Sequence, residues 1–250
     1  MKREINASLG AWRGMTVQAA VKAALSASEP LVGKISTRHA QICPQNRGKL
    51  TADDAQHLAL CNPDMQFRLH ANVQKEGWSA AIDASTYGEH EPYFLGLQAI
   101  SEALHAPAYT WHAGARRHAG LEAVFARTRN LEDAWGIPVG IEGMYPTADN
   151  RYLLSTWEEY RTLLNSGVNY ALDMSHINIL AHRSGRRDDA LVQDLLACPN
   201  CIEVHLSGNA GDADTHGQLA AEPWWWNLLD AANQDAVFFT EGGQTRPTYF

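Results

Sequence analysis

Nine residues of this 250-residue chain have the types and positions to carry metal-dependent chemistry. In order they are His70 in FRLHANV, His112 in AYTWHAG, Glu142 in VGIEGMY, Asp173 and His176 in YALDMSH, His205 in IEVHLSG, Asp214 and His216 in DADTHG, and Glu241 in VFFTEGG. Most sit at the end of a short apolar run of the kind that forms a buried strand. Buried carboxylates are rare unless paired or bound to a cation, and neither Glu142 nor Glu241 has a basic partner in its own segment. Imidazoles and carboxylates together suit iron, zinc or manganese, whereas carboxylates with carbonyls would suit magnesium or calcium. One histidine at a strand end is usually a core or substrate-contacting residue, so the reading rests on joint occurrence. Nine donors exceed what one ion needs, and the expected centre is a cluster of two or three ions, with Glu142 and His176 as the candidate catalytic groups.

The elements that must position these residues alternate along the chain. Strand-like segments cover residues 4–10, 31–36, 67–73, 108–114, 138–143, 169–174, 201–207 and 236–242. Helix-like segments cover 16–27, 51–61, 91–106, 120–135, 155–167, 188–198 and 222–234. Thr51 before Asp53 and Asp54, and Ser155-Thr156 before Glu158 and Glu159, read as helix N-caps, and Gly167 reads as a C-cap. Strand then helix, eight times over, predicts an α/β fold, a closed (β/α)8 TIM barrel, as a single domain over 1–250. An open doubly wound sheet is the alternative, but no GxGxxG or P-loop follows any strand. The long segments 74–91 and 208–222 follow strands, on the side where such barrels keep their active sites. His39 and His90 fall in loops on that side and are open to a proton-transfer role, while His57 and His105 fall in surface helices.

Formal net charge is −8 at pH 7, which argues against a broad phosphate-binding surface and makes a nucleic-acid partner an unfavoured expectation. No apolar run approaches the roughly 18 residues of a membrane span. The first fifteen residues hold no continuous apolar segment, so a cytoplasmic enzyme with no membrane association is expected. Cys198 and Cys201 form a lone CPNC, read as small residues packed at a helix-to-strand turn rather than a redox pair. The Asp212-x-Asp214 pair lacks the calcium-loop spacing of an EF-hand.

Arg116, with Arg117 and His118, follows His112 directly, and Arg183 lies with Arg186 and Arg187 after the sixth strand. Either group could anchor a substrate carboxylate or phosphate, or be a solvated charge run. Trp224, Trp225 and Trp226 open the last helix-like segment. Three successive rings cannot share one face, so one is free for a substrate or partner. Arg116, Arg183 and Trp224 are thus the candidate substrate contacts.

From about residue 66 to 243 the ordered donor set resembles the xylose isomerase-like barrel superfamily. Single-metal sugar epimerases of that group use a Glu, Asp, His, Glu quartet, which would fall on Glu142, Asp173, His205 and Glu241. The fuller set is similar to the three-metal site of the endonuclease IV family. That resemblance implies one ion on His70, His112 and Glu142, a second on Glu142, Asp173, His205 and Glu241, and a third on His176, Asp214 and His216. The flanking residues, from GIEGMYP through STWEEYRTLLNSGVNYALDMSHINILAH to IEVHLSGNAGDADTHG and PWWWNLLD, resemble the multinuclear non-heme iron-dependent oxidative enzymes. Those act with iron and dioxygen on small thiols or cysteine-containing peptides, often with a protein that presents the peptide. The chain departs from that family where it carries His176 and Gly143 in place of asparagines. It departs from the endonucleases in lacking an Asn-Asp after His205-Leu206. The expected function is therefore iron- and dioxygen-dependent oxidation at two or three iron ions, with zinc or manganese as alternatives. A zinc phosphodiesterase or AP endonuclease, and a one-metal sugar isomerase or epimerase, are the other readings.

Overall fold

The structure, a computed structural model, describes residues 3–80 and 82–245. Residues 1, 2, 81 and 246–250, which the single-domain expectation includes, lie outside the described residues. Eight parallel strands close into a barrel. They are β1 (Ile5–Ser8), β2 (Ser36–Ile42), β3 (Gln66–His70), β4 (Tyr109–His112), β5 (Val139–Glu142), β6 (Tyr170–Asp173), β7 (Cys201–Leu206) and β8 (Val237–Thr240). Each pairs with its neighbours in sequence, and β8 closes on β1. Helices α1 (Val17–Ala24), α2 (Ala52–Cys61), α3 (Glu91–Ala103), α4 (Leu121–Trp135), α5 (Trp157–Asn165), α6 (Met174–Ser184) and α7 (Asp189–Ala197) connect them. The caps read from sequence are present: Thr51 and Asp54 form a reciprocal capping box, and Thr156 accepts from Glu159 N.

Three elements differ from the sequence expectation. The second barrel strand is Ser36–Ile42, not 31–36, because residues 28–34 fold instead into a small antiparallel hairpin (Ser28–Glu29 with Gly33–Lys34). His39 therefore lies in a barrel strand and not in a loop. Burial, with Arg68 and Arg38 nearby, lowers its imidazole to about 4. The hairpin is tied to the end of β8 by the buried Glu29 carboxyl, which accepts from Thr240 Oγ1 and Gln244 Nε2. Secondly, α6 begins directly at the end of β6, with Asp173 as its N-cap, so no turn residues mark the strand-to-helix junction. Thirdly, the tryptophan segment does not open an α-helix. Trp226–Ala231 forms only short 3-10 turns, with Trp225 buried before them.

Strand alternation sends one set of side chains outward to the helices and the other into the barrel. The outward set is apolar and includes Phe67, Leu69, Tyr109, Trp111, Ile141, Leu172, Val204 and Phe238, all buried. The inward set is unusual. Barrel interiors are commonly filled by Val, Ile and Leu, but here Gln41, Arg68, Thr110 and Glu203 meet inside, all buried. Arg68 Nη1 lies 2.9 Å from Glu203 Oε1. Burial alone would raise the Glu203 carboxyl, but the hydrogen bond from His205 and the charge of Arg68 outweigh it and hold the group at about 2.

Removing one partner of a buried ion pair leaves an uncompensated charge. Arg68→Met is expected to lower stability by about 3–5 kcal/mol in urea unfolding. A loss below about 1 kcal/mol would show that the pair does not organise the barrel interior.

Candidate metal centre

All nine candidate donors lie at the C-terminal end of the barrel or in the segments that immediately follow it. Register puts them side by side: His112 on β4 pairs with Glu142 on β5, and Asp173 on β6 pairs with His205 on β7. Glu142 is the meeting point. Its Oε2 lies 3.0 Å from His70 Nε2, 3.6 Å from His112 Nε2 and 3.6 Å from His205 Nδ1, and its Oε1 lies 3.4 Å from His176 Nδ1. From there the contacts run as a closed ring of alternating imidazoles and carboxylates. His176 Nε2 is 3.5 Å from Asp214 Oδ2, and Asp214 Oδ2 is 3.1 Å from His216 Nε2. His216 Nδ1 is 3.5 Å from Glu241 Oε2, and Glu241 Oε1 is 3.8 Å from His205 Nδ1.

Local structure explains how each group is held. Asp173 is the N-cap of α6, and its Oδ1 accepts from Ser175 N and His176 N at 2.6 and 3.1 Å. Its other oxygen faces His176 Nε2 at 3.6 Å. His176 sits in the first turn of that helix and donates from Nδ1 to the Gly143 carbonyl at 2.8 Å. Gly143 is required there, because a Cβ would overlap the Tyr160 hydroxyl, which itself donates to Met144 O. That contact gives the Gly143 departure noted in the sequence a packing reason. Asp214 and His216 come from a loop pinched shut by reciprocal 2.7 Å hydrogen bonds between Gly208 and Gly217. His216 itself has a left-handed φ of 47°, held by the bond from Gly243 N to its carbonyl.

Among the described residues, three groups of donor atoms, each with all atoms within 4.8 Å of one another, could hold a metal ion: His70, His112 and Glu142; His70, His205 and Glu241; and Glu142, Asp173 and His176. The first coincides with the expected first set. The other two cut across the expected partition, since His70 reaches the His205 side and His176 reaches Asp173. The donors also fit a cation by their hydrogen bonding. Glu142 Oε2 and His205 Nδ1 are buried without a hydrogen-bond partner, and such orphaned atoms in a native interior call for an ion or water.

Electrostatics follow the ring. Burial would raise the Glu142 carboxyl, but His70, His112 and His205 hold it well below the usual carboxylate range. Burial raises Asp173 to about 6 with help from Glu241 and Glu142, against the pull of His176. Burial opposes a charge on His176 and His216, yet the facing carboxylates raise them to about 10 and about 11.

The candidate substrate contacts are placed differently. Arg116 makes a fork to Glu159 at 2.5 and 2.7 Å and reaches Ser155, so its guanidinium is committed to α5. Arg183 lies within α6 and donates to Asp212 O at 2.7 Å, at the root of the loop that carries Asp214. Trp224 donates to Asn178 Oδ1 at 2.9 Å, with the Arg187 guanidinium 4.8 Å over its ring. Two groups that the sequence reading passed over face the site. The Tyr145 ring is half-buried with its centroid 4.9 Å from His176, and Glu203 accepts from His205 Nε2 at 3.1 Å. The signal for Glu203 was its place two residues before His205, hence on the same face of the strand.

No protein-family model and no curated protein matches the chain. Solved structures do. A D-tagatose 3-epimerase-like protein aligns over 96% of this chain and 91% of its own, at 12% identity and a TM-score of 0.66. An AP endonuclease of family 2 from Brucella melitensis aligns over 99% and 95%, at 12% identity and 0.65. The IOLI protein, crystallised with a zinc atom, aligns over 95% and 88%, at 10% identity and 0.62. The fold is the xylose isomerase-like TIM barrel. At such identity the likeness speaks for architecture, and the chemistry has to be argued from the residues.

Because the carboxylates raise His176 and His216 above 6.5, the ion-free fold holds both imidazoles protonated at neutral pH. Their contribution to stability is complete below about pH 6.5 and is lost as pH rises through about 10 to 11. A cation must displace those protons, so zinc loading at pH 7 is expected to release them and to tighten as pH rises from about 6 to about 8. Calorimetry in buffers of different ionisation enthalpy measures the release. An uptake with no proton exchange would show that the ion binds elsewhere.

Proposed function

We propose that this protein is a metal-dependent enzyme working through two or three ions, with Glu142 as the carboxylate shared between them. The observation that supports this reading is the Glu142 carboxyl itself, 1% exposed and within 3.0–3.6 Å of four imidazoles on four different elements. A single ion takes about four to six ligands, which leaves part of a nine-donor set unused. His70, His112 and Glu142 would hold one ion; Glu142, Asp173, His205 and Glu241 a second; His176, Asp214 and His216 a third. Iron in these positions would supply redox chemistry with dioxygen, and zinc or manganese would supply Lewis acidity.

The reaction we favour is oxidation of a small thiol or of a cysteine-containing peptide, which a partner protein would present. What supports it is the resemblance of the sequence around the donors, together with the burial of the donors themselves. Glu142, Asp173, His176 and His205 are all buried, His112 and His216 are partly exposed, and the Tyr145 ring packs against His176. We assign the catalytic step to Glu142 and His176; Arg183 donates to Asp212 O in the loop that carries Asp214, and Trp224 follows that loop. A hydrolytic or isomerising reading draws on the folds this chain shares, since an AP endonuclease and sugar epimerases are among them. The arginines near the mouth do not favour a nucleic-acid backbone: Arg116 is paired with Glu159 and Arg151 with Asp149.

Anaerobic purification, metal analysis and oxygen-uptake measurements with thiol substrates separate these readings. Iron with thiol-dependent oxygen consumption is expected. Stoichiometric zinc with no oxygen uptake would sink the oxidative reading, and nicking of abasic DNA or ketose epimerisation would replace it. Asp214→Ala or His216→Ala is expected to lower bound metal by about one ion per chain, because a carboxylate or imidazole ligand of that ion is gone. Unchanged metal content in both variants would show that the third ion has been misplaced.

A further inference from the structure

Beneath the donor cluster lies a carboxylate that none of the readings above uses. Glu203 is fully buried on β7, two residues before His205 and therefore on the same face, one layer deeper in the barrel. Its Oε1 takes Arg68 Nη1 at 2.9 Å. Its Oε2 takes Gln41 Nε2 at 2.9 Å, Thr110 Oγ1 at 3.1 Å and His205 Nε2 at 3.1 Å, which also brings the Gln41 and His205 nitrogens within 2.9 Å of each other.

From this geometry we infer that Glu203 is a positioning residue that sets the tautomers of two ligand histidines, His205 directly and His70 through Thr110. The inference rests on the reading of those histidines as metal ligands. An ionised carboxylate beside Arg68 has no hydrogen to give and can only accept. With a cation at its Nδ1 side, His205 therefore keeps its hydrogen on Nε2 and gives it to Glu203, as the neighbouring Gln41 amide does, and turns the Nδ1 lone pair toward the space shared with Glu142 and Glu241. That Nδ1 is the buried atom without a hydrogen-bond partner. The same logic passes through Thr110. Its hydroxyl hydrogen goes to Glu203, so at its 2.9 Å contact with His70 Nδ1 the oxygen accepts. His70 then carries its hydrogen on Nδ1 and turns the Nε2 lone pair to Glu142 Oε2. One anion thus presents opposite nitrogens of two rings, Nδ1 of His205 and Nε2 of His70, whose centroids stand 4.8 Å apart at 83°. Both rings belong to the donor group completed by Glu241. Partners that fix a ligand histidine's free nitrogen commonly change metal affinity by 10–100-fold.

The test uses Thr110→Val and Glu203→Gln in the full-length protein, with zinc as the probe. Chelator competition gives affinity, and long-range nitrogen–proton NMR of the imidazoles gives the tautomers. Zinc-loaded wild type is expected to show His205 protonated on Nε2 alone and His70 on Nδ1 alone. Thr110→Val is expected to release the His70 pattern alone and weaken zinc binding about tenfold, and Glu203→Gln to release both patterns and weaken it about a hundredfold. Wild-type tautomers and affinity in both variants would overturn the assignment and leave the metal reading standing. If Glu203→Gln does not fold, Thr110→Val decides alone, since a merely structural Thr110 would leave the His70 nitrogens unchanged. A wild type that takes up no zinc or iron would overturn the metal reading, and this assignment with it.

Discussion

The structure depends on one electrostatic constraint, which is that a carboxylate as buried as Glu142 must be compensated on every side. Here the compensation comes from imidazoles, and two of them, His176 and His205, in turn face further carboxylates. The result is a closed alternation from Glu142 through His176, Asp214, His216, Glu241 and His205 back to Glu142. Like-charged neighbours would make such burial prohibitive, whereas alternation lets each group lower the cost of the next. On the proposed metal reading, a cation entering the ring would replace the protons that hold it together. Folding and ion binding therefore draw on the same side chains.

The barrel serves this constraint in two layers. The upper layer supplies donors from the ends of successive strands, at positions that register makes neighbours. The lower layer is where an ordinary barrel would be hydrocarbon. Here Arg68, Gln41, Thr110 and Glu203 replace it with a satisfied polar network. A donor cluster resting on apolar side chains would leave the back of each ring free to rotate. Resting on hydrogen bonds, the rings keep one orientation. Asp173 adds a second economy, since one of its oxygens caps α6 while the other faces the site.

Much of this was legible in the sequence because both signals are local. Apolar runs separated by capped amphipathic stretches read as eight strand–helix units, and a polar residue at the end of an apolar run stands out. What failed was whatever depended on distant packing. Residues 31–36 have a strand-like composition, but Glu29 ties their hairpin to Thr240, some two hundred residues away. The α6 junction was hidden because Asp173 both ends the strand and caps the helix, leaving no loop between them. The tryptophan segment looked helical, yet burial of Trp225 and the partner of Trp224 on α6 are set by tertiary contacts. Arg116 looked like a free anchor until its fork met Glu159, forty-three residues further on.

The pinched loop between Gly208 and Gly217 separates two kinds of donor. Those on the strand ends are part of the barrel's own hydrogen-bonded ladder, and moving them means moving the barrel. Asp214 and His216 instead ride on a short peptide closed by two reciprocal backbone bonds, with Arg183 and Gly243 pinning its flanks. On the proposed multi-ion reading, the number of ions held would therefore be a property of a clasp rather than of the scaffold. A change confined to that clasp would then remove two donors while the remaining cup stays intact.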